Sequence, residues 1–340
     1  MAKRSLIDQL ENALRAMLAR PDGWLVSPGK GFDPSLAPLL RIARELHDLP
    51  REDFKARLRT NLERSLRMEN ATKQVIASDA SKQANTMPSG YRTIAPYIIV
   101  PRAGEFIEFL TKAFGGTERF RVPRGPGSQF IMHAEVAIGN SIVELANANE
   151  QVPPAPTAIH LYFDDADAFY ARAIDAGATS IYEVGDHVSG DRQGAVRDPF
   201  GNLWYIAMIK GWTPGPEGVP SVQPYLHLHG SEKMIPFLEN AFGGVVTGGV
   251  PTSPEGHVLH ATIQIGDNTL ELDEAHGEFQ PMPCHLHLHM DDADAMYARA
   301  MRAGATSIDA PSDKPYGRSG GVKDAFGNSW YVTSPLQQKT

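Results

Sequence analysis

Three imidazoles share one side of a short segment. In Cys284-His285-Leu286-His287-Leu288-His289-Met290 apolar and polar residues alternate strictly, the period of a β-strand, so His285, His287 and His289 face one way and Leu286, Leu288 and Met290 the other. Gln223-Pro224-Tyr225-Leu226-His227-Leu228 alternates in the same manner and groups Gln223, Tyr225 and His227. Two carboxylates, Glu144 and Glu271, close apolar segments. The leucine faces pack on helices and the polar faces are left to line a site. Burying an unpaired imidazole or amide costs about 1–3 kcal/mol, so these faces require water, a metal ion or a bound molecule. Simpler roles stay open: His287 and His289 also fit a solvated pocket or satisfied core hydrogen bonds, and Glu144 is expected to pair with an arginine. The matching earlier sets, Ala95, Tyr97 and Ile99, then Ala158, His160 and Tyr162, are less polar.

The elements that position these residues occur twice. Pro96-Tyr97 recurs as Pro224-Tyr225, Phe114-Gly115-Gly116 as Phe242-Gly243-Gly244, and His133-Ala134 as His260-Ala261. Asp164-Asp165-Ala166-Asp167-Ala168 recurs as Asp291-Asp292-Ala293-Asp294-Ala295, and Phe200-Gly201-Asn202 with Trp204-Tyr205 as Phe326-Gly327-Asn328 with Trp330-Tyr331. Order is kept throughout, which marks a duplication; no role is assigned to His133 and His260 beyond shared ancestry. Copy A spans 91–209 and copy B 222–335, joined by a 210–221 linker rich in Pro and Gly. Within copy A, periodicity predicts a strand at 93–100, a helix closed by Gly115-Gly116, and strands at 118–122, 130–138 and 141–146. The same order follows as a strand at 158–163, a helix at 165–176, and strands at 179–182, 194–197 and 203–207. Each copy therefore reads βαβββ twice.

This pattern resembles the vicinal oxygen chelate superfamily of glyoxalase I, extradiol dioxygenases and bleomycin-resistance proteins. The resemblance rests on Thr93–Gly116, His133–Leu145, Asp164–Ala178, Asp198–Asn202 and their second copies. It implies an α+β fold of two glyoxalase-like units, each a cup of paired βαβββ modules with an eight-stranded mixed sheet, and a small-molecule ligand. It also implies a divalent metal, Zn, Ni, Mn or Fe, in unit B on Gln223, Glu271 and His285, with none in unit A. At the fourth ligand position stands Tyr331 rather than Glu, which argues against dioxygenase chemistry and leaves isomerase or lyase chemistry of glyoxalase type. Tyr331 and His287 are the candidate proton-transfer groups. Tyr225, His227, His289, Trp330, Tyr97, His160 and Tyr205 are the candidate pocket. Three ligand types within copy B favour pairing of the two modules inside each copy.

Composition bounds the rest. The chain has 340 residues, 42% hydrophobic and 21% charged, with a net charge of −8. That is ordinary globular material and argues against non-specific nucleic-acid binding. The single cysteine, Cys284, excludes an intrachain disulfide and fits a reducing, cytoplasmic setting. No apolar run is long enough to span a membrane, and Asp8, Glu11 and Arg15 interrupt any signal-peptide core. Apolar stripes at helical spacing over 1–68 predict an N-terminal helical segment, followed by a polar linker at 69–90. A monomer or homodimer is expected. The rival functions are metal-free small-molecule sequestration and a regulatory or scaffold role, with the N-terminal helices docking a partner.

Overall fold

The computed structural model describes residues 91–187, 190–209 and 220–336. The helical segment expected over 1–68, the linker over 69–90 and most of the 210–221 joint lie outside the described residues. The first copy runs β1 (Ile94–Val100), α1 (Ala103–Phe114), β2 (Thr117–Pro123), β3 (Ile131–Ile138) and β4 (Ser141–Asn147). It continues with β5 (Ala158–Tyr162), α2 (Ala166–Asp175), β6 (Thr179–Asp186), β7 (Asp191–Arg197) and β8 (Leu203–Ile209). The second runs β9 (Val222–Leu228), α3 (Met234–Phe242), β10 (Val245–Thr247), β11 (Ala261–Ile265) and β12 (Asn268–Glu274). Then come β13 (His285–His289), α4 (Ala293–Arg302), β14 (Thr306–Lys314), β15 (Gly317–Lys323) and β16 (Ser329–Ser334). No helix among the described residues is long and apolar enough to cross a membrane.

The duplicated residues explain themselves locally. Asp165 and Asp292 cap α2 and α4, each side chain accepting from the backbone N–H three residues on at 2.9 Å. Arg172 of α2 donates to the Lys112 carbonyl at the end of α1 at 3.1 and 2.9 Å, and Arg299 of α4 to the Asn240 carbonyl of α3 at 3.1 Å. A cation at a helix C-terminus satisfies carbonyls that the helix leaves open. These arginines hold the two helices of each copy together.

The strands form two eight-stranded mixed sheets, with orders β14-β15-β16-β13-β1-β4-β3-β2 and β10-β11-β12-β9-β5-β8-β7-β6. This corrects the expected pairing within each copy. Each sheet joins the first module of one copy to the second module of the other. The seams are antiparallel: Ala95 lies opposite His287 and Tyr97 opposite His285 in the first sheet, and Ala158 opposite Tyr225 and His160 opposite Gln223 in the second. Pro96 sits in this seam without cost to the parallel β1–β4 ladder, which starts only at Tyr97.

The hydrophobic cores follow the opposite rule. One core gathers Ile98, α1, Leu145, Leu161, α2 and Trp204, nearly all from copy A. The other gathers Leu226, α3, Leu272, Leu286, α4 and Trp330, from copy B apart from Ile94. Trp204 and Trp330 are fully buried and donate through Nε1 to Asp198 and Asp324 at 2.8 and 2.9 Å. Asn202 and Asn328 bridge the same aspartates to the backbone N–H of Thr157 and Cys284, at the start of β5 and β13. The Gly-Asn turns are thus braces as well as turns.

Two glycines mark where the sheets meet. Gly266, at the β11–β12 turn with φ +61°, would place a Cβ 2.1 Å from Thr93 Oγ1, and its pseudo-equivalent Gly139 does the same against Ser221. The neighbouring Asp267 accepts from the Thr93 N–H and hydroxyl, each at 2.7 Å. Gly266→Ala therefore combines left-handed backbone strain with overpacking. It is expected to cost roughly 2–4 kcal/mol in denaturant unfolding. Gly277→Ala, also left-handed at φ +52° but with nothing within 4 Å, is expected to cost only about 1–2 kcal/mol.

Candidate functional site

Each sheet buries its leucine side against helices and turns a polar face the other way. On the first face, Glu135, Glu144, Tyr97 and His285 form one row across β3, β4, β1 and β13. Ala95, His287 and Tyr331 form the next row across β1, β13 and β16. Glu144 is 1% exposed. His287 Nδ1 donates to its two oxygens at 2.9 and 2.8 Å, and His289 Nε2 donates at 3.3 Å. Burial opposes ionisation of Glu144, but the His287 charge and these hydrogen bonds outweigh it and hold the carboxyl far below its usual range. Burial likewise pushes His287 down, and the facing Glu144 carboxylate carries it above its ordinary value. His289 stays below its ordinary value, held down by burial and by the neighbouring His287 charge against the pull of Glu144.

The surroundings complete this pair. His287 Nε2 lies 2.7 Å from Thr333 Oγ1, which reaches Ser319 Oγ at 2.9 Å. His133 contacts the Tyr97 hydroxyl at 3.3 Å and donates to Glu135 at 3.2 Å. Burial, reinforced by Glu144, raises Tyr97, and burial raises Tyr331, so both remain protonated phenols at neutral pH. His285 Nδ1 is buried and has no hydrogen-bond partner. Its ring stacks toward Tyr331 at 6.3 Å, and burial lowers its pKa.

The second face repeats the plan with different groups. Glu271, 2% exposed, accepts from His160 Nδ1 at 3.0 Å, His260 Nε2 at 3.1 Å and the Tyr162 hydroxyl at 3.0 Å. A few ångströms along, the Tyr205 hydroxyl donates to His227 Nε2 at 2.9 Å while His227 Nδ1 donates to Asp273 at 2.7 Å. Tyr225 donates to the other Asp273 oxygen at 3.2 Å. Tyr205, Tyr225 and Phe279 pack their rings 5.1–6.0 Å apart around Tyr205. His160 Nε2 is buried and unpartnered, although the residue is only 5% exposed. Its counterpart His287 finds Thr333, whereas Ala207 holds that position here.

The expected metal set is not assembled. Gln223 and Glu271 lie in the second sheet and His285 in the first, because the modules are exchanged. Gln223 instead donates to the Pro220 carbonyl at 3.4 Å. Tyr97, His285, His287, His289 and Tyr331 share the first face; His160, Tyr205, Tyr225 and His227 share the second. Trp330 belongs to neither, being packed 4.8 Å from Phe242 in the core. Glu144 pairs with imidazoles rather than an arginine, so copy A, expected to be metal-free, supplies the carboxylate of a mixed group. Both nitrogens of His287 are engaged, which removes it as a free proton carrier. The donor atoms of Glu144, His287 and His289 all lie within 4.8 Å of one another, close enough to hold one metal ion. The structure gives roles to His133, His260 and Tyr162, which the sequence pattern left without one, and adds Asp273 and Thr333, which it did not single out. Period two from Glu271 to Asp273 and from Tyr331 to Thr333 carried that signal.

The Glu271 network makes stability depend on pH. Burial opposes its ionisation, but His160 and His260 depress its folded-state pKa below 4.5. Its contribution is complete above that value and is lost as the solution acidifies. His260 is raised above 6.5 by its hydrogen bond to Glu271, so its contribution is present below 6.5 and is lost as pH rises through the folded value. The network contributes most between these limits. Urea midpoints measured from pH 3 to 9 are expected to show that maximum, and Glu271→Gln to flatten it.

Comparisons with known proteins agree with this architecture. A family model described as the Glyoxalase/Bleomycin resistance protein/Dioxygenase superfamily matches residues 92–206 and 230–332. An uncharacterized protein of Mycobacterium tuberculosis (strain H37Rv) is 34% identical over 136 residues, covering 37% of this chain and 79% of that protein. A candidate glyoxylase of Mycobacterium bovis, CFP32, is 25% identical over 253 residues, covering 68% and 90%. Among solved structures, glyoxalase I from Zea mays superposes with a TM-score of 0.57 at 18% identity, over 72% of this chain and 92% of that one, a likeness of fold. The chain belongs to the Glyoxalase/Bleomycin resistance protein/Dioxygenase superfamily.

Proposed function

We propose that the protein binds a small molecule with adjacent oxygens on the first polar face, assisted by a divalent cation on Glu144, His287 and His289. The observation that carries this reading is the convergence of a carboxylate from one copy and two imidazoles from the other within 4.8 Å. The donors fit the ion: two imidazole nitrogens and one carboxylate suit Zn, Ni, Mn or Fe(II). The unpartnered buried Nδ1 of His285 on the same face marks a place for a ligand group. A cation bound there supplies Lewis acidity toward neighbouring oxygens.

The protein's own groups do the rest. Thr333, bonded to His287 Nε2, fixes the ring so that Nδ1 faces Glu144 and would ligate the cation on giving up the proton it shares with that carboxylate. Tyr97 and Tyr331, kept protonated by burial, offer hydroxyls to a developing oxyanion. His285, with one nitrogen free, takes and returns a proton. This is isomerase or lyase chemistry. The same donor composition serves iron oxygenases, and the identity of the bound metal decides between them.

A specific observation favours a second, metal-free reading for the second face. Among the described residues the donors around Glu271 do not form a group close enough to hold an ion, while His160 Nε2 and a ring-lined surface await a partner. There the ligand is a planar molecule held by stacking and one hydrogen bond.

Metal analysis of protein purified without chelator separates the two. The parent chain and Gln223→Ala are expected to hold one more ion per chain than Glu144→Ala and His287→Ala. Equal metal in all four chains discards the metal reading of the first face and leaves chelator-insensitive binding.

A further inference from the structure

A second group of metal-type donors lies away from both polar faces. Glu274 ends β12, and alternation turns it away from Asp273 and the second face. Its carboxylate is oriented by the N–H groups of Gly230 and Ser231, each at 3.0 Å, and by the Ser231 hydroxyl at 2.9 Å. His257 Nδ1 stands 3.6 Å from Glu274 Oε2 and 4.0 Å from Glu232 Oε2, and His229 Nδ1 stands 3.6 Å from Glu274 Oε1. We infer that Glu232, His257 and Glu274 form a divalent-cation site of zinc type, with His229 as an additional donor beside it.

The spacing argues for an ion rather than ion pairs alone. Separations of 3.6–4.0 Å exceed a hydrogen bond. They approach the roughly 3.4 Å between ligand atoms around a tetrahedral ion with bonds near 2.0–2.1 Å. The donor atoms of Glu232, His257 and Glu274 lie within 4.8 Å of one another, so a small contraction completes the shell, and exposure leaves the remaining positions to water.

The duplication supplies an independent comparison. The positions in copy A equivalent to His229, Glu232, His257 and Glu274 are Pro101, Gly104, Phe130 and Asn147. None of the first three can ligate, and Asn147 is occupied with the Ile131 N–H and the Pro101 carbonyl. The fold therefore does not demand these donors; all four differ together in one copy. An ion here ties the turn after β9 to the 251–259 loop, which otherwise meets β12 through bonds such as Glu274 N–H to the Val258 carbonyl at 2.8 Å.

The test uses the full chain carrying His289→Ala, which removes a first-face donor while leaving the Glu144–His287 pair in place. Titration with zinc chloride by calorimetry is expected to retain one binding event. Adding His257→Ala or Glu232→Gln, both exposed positions, is expected to weaken it by at least about tenfold, with the zinc-free melting temperature unchanged. Cobalt substitution is expected to give the visible absorption of an ordered four- or five-coordinate site. Zinc binding absent from the His289→Ala chain, or indifferent to both added substitutions, overturns the inference. Because a first-face donor is already removed, either outcome is separate from the fate of the first-face reading.

Discussion

A buried carboxylate held by imidazoles from the other half of the chain is the constraint on which this structure depends. Glu144 is 1% exposed and ionised. It can remain so only because β13 lies beside β1 in the register that sets Ala95 against His287. Breaking such a pair by removing one partner typically costs about 3–5 kcal/mol, since a buried charge is left without compensation. A slip of one residue would turn the imidazoles into the leucine-packed core and bring Leu286 and Leu288 to the polar face. Seam register and charge pairing therefore enforce each other, and Glu271 with His160 repeats the device across the second seam.

The duplicated chain divides its labour in two incompatible-looking ways. Cores are assembled by copy: α1 packs with α2, α3 with α4, and each tryptophan lies in the core of its own copy. Polar faces are assembled across copies. Each face thus takes one module from each copy, and the two have diverged as units. His285, His289, Thr333 and Glu135 on the first correspond to Ala158, Tyr162, Ala207 and Thr262 on the second. The first face carries imidazoles at His285 and His289 where the second has Ala158 and the phenol of Tyr162.

Much of this was legible in the sequence. Period two placed the imidazoles of 285–289 on one side, Asp165 and Asp292 opened helices, and the repeat announced four βαβββ modules. What could not be read was which strand lies beside β1. Alternation fixes the face a residue takes but not its neighbour. Ile94 meets Leu288 as readily as it would an apolar residue of β5, and the entropy of closing a longer connection grows only with the logarithm of its length. The exchange separated Gln223 and Glu271 from His285 and brought Glu144 to His287. Trp330 is a different kind of error. It adjoins Tyr331 in a strand, so the two must face opposite sides, and alternation alone would have sent it to the core.

The unpartnered nitrogens show where this economy stops. Nearly every other buried polar side chain on the two faces is matched, down to the Tyr205–His227–Asp273 chain. His285 Nδ1 and His160 Nε2 are not, and each unmatched buried donor or acceptor costs about 1–3 kcal/mol. They are not equivalent positions: one is where the first face has a histidine and the second an alanine, the other where the second face lacks the hydroxyl of Thr333. A flaw inherited from the common ancestor would fall at the same site in both. Unsatisfied nitrogens at different sites on each face are what two surfaces that diverged separately after the duplication present.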